Sequence, residues 1–139
     1  MTLLWATSIL LYLTLACCLR SQAPWLFRLF VWLYLLRSLI RVYLYFADPA
    51  AYSSCYWPLY WLLVPLAALA VDQCILRGEL ALASGFFVYY GLDFGLRAVP
   101  TCNPAVQLVK MLPASIAALF WLFVEVRHAH ADRMFAGCR

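Results

Sequence analysis

The sequence predicts an all-α fold: a polytopic transmembrane helical bundle of five spans, with the N-terminus outside and the C-terminus inside. Three observations carry the prediction. Of the 139 residues, 68% are hydrophobic and 12% are charged, about half the charged share of a soluble domain, and the mean hydropathy is +0.88. A soluble domain of this length would expose large apolar patches. Five apolar segments approach the roughly 20 residues needed to cross a bilayer. The stretches between them, "LRSQAP", "ADPAAYSSCY", "RGE" and "VPTCNP", carry turn residues and are short enough to force antiparallel neighbours.

The first segment, Leu3–Leu19, is uncharged. It lacks the positive n-region of a signal peptide and is expected to stay as a first membrane helix. The second, Trp25–Phe46, follows Pro24, a residue suited to a helix start. The third, Trp57–Leu76, has no charge between Asp48 and Asp72, and its Pro58 and Pro65 are better tolerated in lipid than in water. The fourth runs over about Glu79–Arg97 and the fifth over about Pro104–Val126. Residues 1–126 then form one bundle, and 127–139 a short cytoplasmic tail.

Orientation follows from the basic residues near the helix ends. Five crossings put Arg20, Arg28, Arg77, Arg127, Arg133 and Arg139 on one side, and only Arg97 on the other with Asp48. The basic side is expected to face the cytoplasm, which places the chain in a bacterial inner membrane. The net charge of +4 is scattered, with no Lys/Arg run, so a nucleic-acid partner is not indicated. The expected surroundings are the lipid bilayer and a second copy or a membrane partner protein.

The second segment, "FRLFVWLYLLRSLIRVYLYF", carries Arg28, Arg37 and Arg41. Charge at the bilayer centre costs several kcal/mol or more unless it reaches a partner or an interface. Counted from the inner ends at about 1.5 Å per residue, Arg37 lies roughly 18 Å deep, Arg41 and Lys110 roughly 24 Å, and Asp93 roughly 21 Å. Arg28 lies near the level of Asp72, with which it is expected to form a structural ion pair, and Glu125 is close to the same interface. Arg37 and Arg41 are four apart and share a helix face, with Asp93 the best carboxylate to meet them. Two readings stay open. Asp93 pairs with Arg37 while Arg41 and Lys110 reach the outer headgroups. Alternatively, the cationic excess of Arg37, Arg41 and Lys110 over Asp93 binds an anionic headgroup, carboxylate or phosphate, which the guanidinium fork suits.

The threading puts Cys55 and Cys102 in the two outer loops, where a disulfide between them is permitted. No CxxC occurs, and His128 and His130, the only histidines, lie in the tail, so haem held between two helix histidines is excluded and no metal site is expected. Glu125 and His128 form half of a carboxylate-bundle metal motif with no other half. Cys17–Cys18 could be acylated or simply packed. The aromatics of "YWPLYW", with Tyr43 and Tyr45, read as an outer aromatic belt, with an aromatic ligand cage as the other reading. "ASGFF" lacks the spacing of a nucleophile elbow, and no phosphate-cradling glycine loop is present.

The stretch "FRLFVWLYLLRSLIRVYLYF" and the following "YWPLYWLLVPLAALAVDQCIL" resemble a group of uncharacterised small multi-pass bacterial membrane proteins common in Acidobacteria. The likeness covers about Phe27–Leu76. It implies about seven spans and an acid near the end of the third, to which Asp72 is the nearest match, and it carries no activity. The expected function is a non-enzymatic membrane module acting through helix contacts with itself or a partner, as a sensor or assembly subunit, without a cofactor. The alternative is a small binding or transport unit for an anionic ligand at Arg37, Arg41, Asp93 and Lys110.

Overall fold

The computed structural model describes residues 2–98, 105, 109, 110 and 112–138, with the side chains at 2, 53–57 and 97 left out of the account. The described helices are α1 (Thr2–Cys18), α2 (Trp25–Ala47), α3 (Pro49–Leu76), α4 (Leu80–Arg97) and α5 (Leu112–Gly137). Each packs on the next in sequence, and α5 returns onto α1, so the five close into a ring.

The expectation of five spans is corrected. By length and composition, three helical stretches among the described residues can cross a membrane: Trp25–Ala47, Pro58–Leu76 and Leu112–Gly137. The apolar stretches Leu3–Cys18 and Leu80–Leu96 are shorter. At about 1.5 Å per residue they reach about 25 Å, less than the roughly 30 Å of a bilayer's hydrocarbon core. The N-out, C-in orientation was counted over five crossings and falls with them. The last helix is also displaced from its expected start at Pro104. It begins at Leu112, and the stretch read as a tail continues as helix to Gly137.

The turns explain the ring. Asp48 ends α2 and starts α3: its N–H donates to Leu44 O, and its Oδ1 accepts from Ala50 N and Ala51 N, each at 3.1 Å. With Pro49 at the first helical position, an N-cap and a proline reverse the chain within one residue. Between α3 and α4, Gly78 adopts φ +75°. Glu79 N donates to Cys74 O and Gly78 N to Ile75 O, the paired bonds of a Schellman turn, which needs the left-handed conformation that glycine adopts freely. The α2 N-terminus has no side-chain cap of its own. Gln73 of α3 supplies one, accepting Leu26 N at 3.0 Å.

The core is aromatic. Phe27 and Phe30 of α2, Phe86 of α4 and Trp121 of α5 are fully enclosed or nearly so. They meet edge to face or tilted, with Phe30–Phe86 and Phe86–Trp121 both at 4.8 Å between centroids. Next to them lies a tyrosine layer in which Tyr12 stacks on Tyr34 at 4.2 Å and Tyr34 meets Tyr89. Small residues, among them Ala67, Ala83, Ala114, Ala117 and Ala118, are buried between the helices and allow close approach where lipid offers no hydrophobic driving force.

Helices α4 and α5 approach closely at Gly85. Trp121 Nε1 donates to Leu82 O at 3.0 Å, and a Cβ at Gly85 would land on the same indole nitrogen. Because the indole is held by its hydrogen bond, it cannot move aside freely. Gly85→Ala is therefore expected to destabilise the bundle by about 1–3 kcal/mol, the usual range for overpacking. Gly91 has no neighbour within 4 Å of an added Cβ, so Gly91→Ala is expected to be neutral or stabilising by up to about 1 kcal/mol. Thermal unfolding of both variants in the same detergent checks the contrast.

Candidate functional site

Three levels of the bundle carry polar side chains. The first lies where the α1–α2 turn, the α3–α4 turn and α5 come together. Arg20 reaches Glu125 through its backbone N at 3.1 Å, Nε at 3.0 Å and Nη2 at 3.2 Å, and Nη2 also donates to Glu79 Oε1 at 3.1 Å. Glu125 is fully enclosed. The Schellman turn at Gly78 aims Glu79 here, and α5 delivers Glu125 about one residue per 1.5 Å of rise. Burial works against the Arg20 charge, but the hydrogen bonds and attraction of Glu125 and then Glu79 outweigh it. The guanidinium is held above its ordinary value. A cation so raised contributes its stability at every pH below its ordinary value and loses it only above, so Arg20 stays charged under any working condition.

His128 lies one turn further along α5, with Nδ1 3.7 Å from Glu79 Oε2, an ionic contact when the imidazole is protonated. Glu125 and His128 thus turn toward the same cluster. Arg20 sits at its centre. No group of three or more His, Cys, Asp or Glu among the described residues is placed to hold a metal ion.

The second level contains Arg37 and Asp93, both buried. Tyr60 links them. Its ring lies 5.6 Å from the Arg37 guanidinium carbon, and its hydroxyl donates to Asp93 Oδ2 at 2.8 Å. Tyr34 offers Arg37 a second ring at 5.5 Å. Cation–π contacts of this kind gain strength when desolvated. Tyr60 was not singled out as a site residue by sequence, because "YWPLYW" reads as a surface belt. Its neighbour Trp61 does face outward, while Tyr60 is 2% exposed.

The third level is toward the α2–α3 turn. Arg41 Nη2 donates to Tyr52 Oη at 3.2 Å and lies over the same ring. Tyr52 and Tyr45 gather around Trp5 of α1. Lys110 stands in a turn two residues before α5, not within it. Arg28 and Asp72 are both exposed, and Arg28 donates to Ser21 O at 3.3 Å. No ion pair joins Arg28 and Asp72 among the described residues. Cys102 and the side chain of Cys55 lie outside the described residues. Cys17, Cys18 and Cys138 are exposed free thiols, and Cys74 is a buried one.

The site that sequence reasoning missed is the Arg20 cluster. Arg20 and Glu79 flank short turns, but Glu125 lies within α5, 105 residues from Arg20. No protein-family model, no curated protein and no solved structure matches the chain.

Glu125 is fully enclosed and takes three of the four Arg20 hydrogen bonds, whereas Glu79 is 20% exposed and takes one. Removing the partner of a buried charge costs about 3–5 kcal/mol. Glu125→Ala is therefore expected to lower thermal stability far more than Glu79→Ala. The double variant should lose less than the two single losses together, because both act on Arg20. Equal single losses with additive behaviour would show that the cluster does not hold the turns.

Proposed function

We propose that the protein is a non-enzymatic integral membrane module that works through helix contacts, with a second copy or a partner protein, as a sensor or assembly subunit. One observation carries the reading. The bundle encloses Arg37, Asp93 and Glu125, while an apolar surface faces outward along the helices. Trp32, Leu36 and Leu39 of α2, Leu62 and Leu69 of α3 and Phe87 of α4 are all exposed. Such a surface suits lipid and other apolar helices. In addition, α5 continues past the Arg20 cluster for about 12 residues, roughly 18 Å, and exposes Met134 and Phe135 there. An apolar pair on a projecting helix suits a protein contact beyond the bilayer core. The resemblance over Phe27–Leu76 supports a bacterial inner membrane as the location.

The test is chemical crosslinking in intact membranes, with Met134→Ser/Phe135→Ser as the comparison variant. The expected outcome is a trapped dimer or a defined heteromeric adduct that is lost in the variant. A protein that stays monomeric and without neighbours in both forms would exclude the reading.

A second reading, an anionic ligand or lipid headgroup bound by Arg37, Arg41, Asp93 and Lys110, has its own support. Arg37 and Arg41 both lie against tyrosine rings, which hold a guanidinium in a fixed orientation. If it holds, anionic lipid raises the unfolding temperature of the wild type in neutral detergent, and Arg41→Gln reduces the rise. The absence of any shift with anionic lipid or small carboxylates would remove it.

A further inference from the structure

One buried polar group takes no part in any of these contacts. Tyr12 of α1 is fully enclosed, and its hydroxyl has no hydrogen-bond partner among the described residues. A bundle in lipid has little to gain from such a group. Phenylalanine would fill the same space without leaving a donor unsatisfied.

The surroundings say what the hydroxyl serves. The Tyr12 ring is held in a stack on Tyr34, 4.2 Å between centroids with the planes 24° apart. Tyr34 in turn meets Tyr89 at 6.0 Å and lies beside the Arg37 guanidinium. Tyr90 packs against Tyr89 at 4.7 Å. Tyr34, Tyr90 and the Arg37 charge are all within electrostatic reach of the Tyr12 phenol, and Tyr89 also senses Arg37 and Asp93. Phenols from α1, α2 and α4 therefore gather at one level, beside the Arg37–Tyr60–Asp93 linkage that brings in α3. On the other side lies the apolar layer of Phe30, Phe86 and Trp121.

The enclosure limits the partner. A lipid ester or a bulky anion cannot reach a hydroxyl with no exposed surface. A molecule the size of water can occupy a buried polar site and typically makes about three hydrogen bonds there. We propose that the tyrosine layer holds a resident water, which accepts a hydrogen bond from the Tyr12 hydroxyl and bridges it to the phenols beside it. The midsection of the bundle is then a hydrated polar layer spanning four helices, not a lone ion linkage in a dry core. The inference stands apart from both readings of function above, since it needs neither a partner protein nor an anion.

Radiolytic footprinting in ¹⁸O-labelled water tests it, because a bound water modifies the side chains that touch it even where bulk solvent is excluded. The full-length protein in nanodiscs is expected to incorporate ¹⁸O at Tyr12 and Tyr34 several-fold above Phe27 and Phe30, which are equally enclosed. Labelling of the tyrosines no higher than that of the phenylalanines would overturn the proposal. Tyr12→Phe supplies a second readout with opposite signs for the two cases. If the hydroxyl binds water, the variant unfolds at a lower temperature and labelling at Tyr34 falls. A raised or unchanged unfolding temperature marks the hydroxyl as an uncompensated group and also overturns the proposal. Should the variant fail to fold, the wild-type labelling still decides.

Discussion

Arg20 joins three parts of the chain that lie far apart in sequence. Its Nε, Nη2 and backbone N–H hold Glu125 on α5, and the same Nη2 also donates to Glu79 at the start of α4. Apolar helices in lipid can slide and rotate against one another at little cost, since lipid tails are as apolar as leucine. A bidentate guanidinium–carboxylate contact has one geometry. Placed where two turns and a passing helix come level, it sets the register of α5 against α1 and α4 and closes the ring. Because Glu125 is fully enclosed, any arrangement that separates it from Arg20 leaves a buried charge unmet, which excludes alternative packings more strongly than the contact stabilises the chosen one.

The layers above the cluster follow from this register. With α5 fixed, Trp121 falls opposite Gly85 and Leu82, and the indole closes the aromatic core between α2 and α4. The next level is lined by phenols, and there the chain places Arg37 and Asp93, both in contact with Tyr60. A tyrosine between a guanidinium and a carboxylate offers its π face to one and its hydroxyl to the other. Neither charge faces hydrocarbon, and the rigid ring fixes the spacing between α2, α3 and α4. The arrangement makes the middle of the bundle aromatic and polar at once.

The same distribution bears on function. The apolar outer faces suit an environment of lipid and other helices. Toward the α2–α3 turn, Arg41 donates to the hydroxyl of Tyr52 and lies over its ring, whereas two carboxylates, Glu125 and Glu79, meet the guanidinium of Arg20.

The sequence by itself determined an all-helical chain of apolar segments joined by short turns, but not every helix end: α3 starts at Pro49, within the stretch read as a connection before Trp57. Asp48–Pro49 and Gly78 act within a few residues of themselves, so their N-cap and Schellman bonds are legible as letters, and so is the shared face of Arg37 and Arg41. Composition alone placed the chain in an apolar environment. What the letters could not carry is anything that depends on distance in space between segments remote in the chain. The number of spans turned on where α1, α4 and α5 begin and end, and helix ends several residues off change a crossing into a shorter apolar helix. Tyr60 reads as a belt residue until α4 brings Asp93 to its hydroxyl, and Lys110 reads as intramembrane until α5 starts after it. Glu125 is one acid near an interface until α5 sets it against Arg20. Only the folded chain decides these, because hydrogen bonds and ring contacts reach a few ångströms while the residues that make them are up to 105 positions apart.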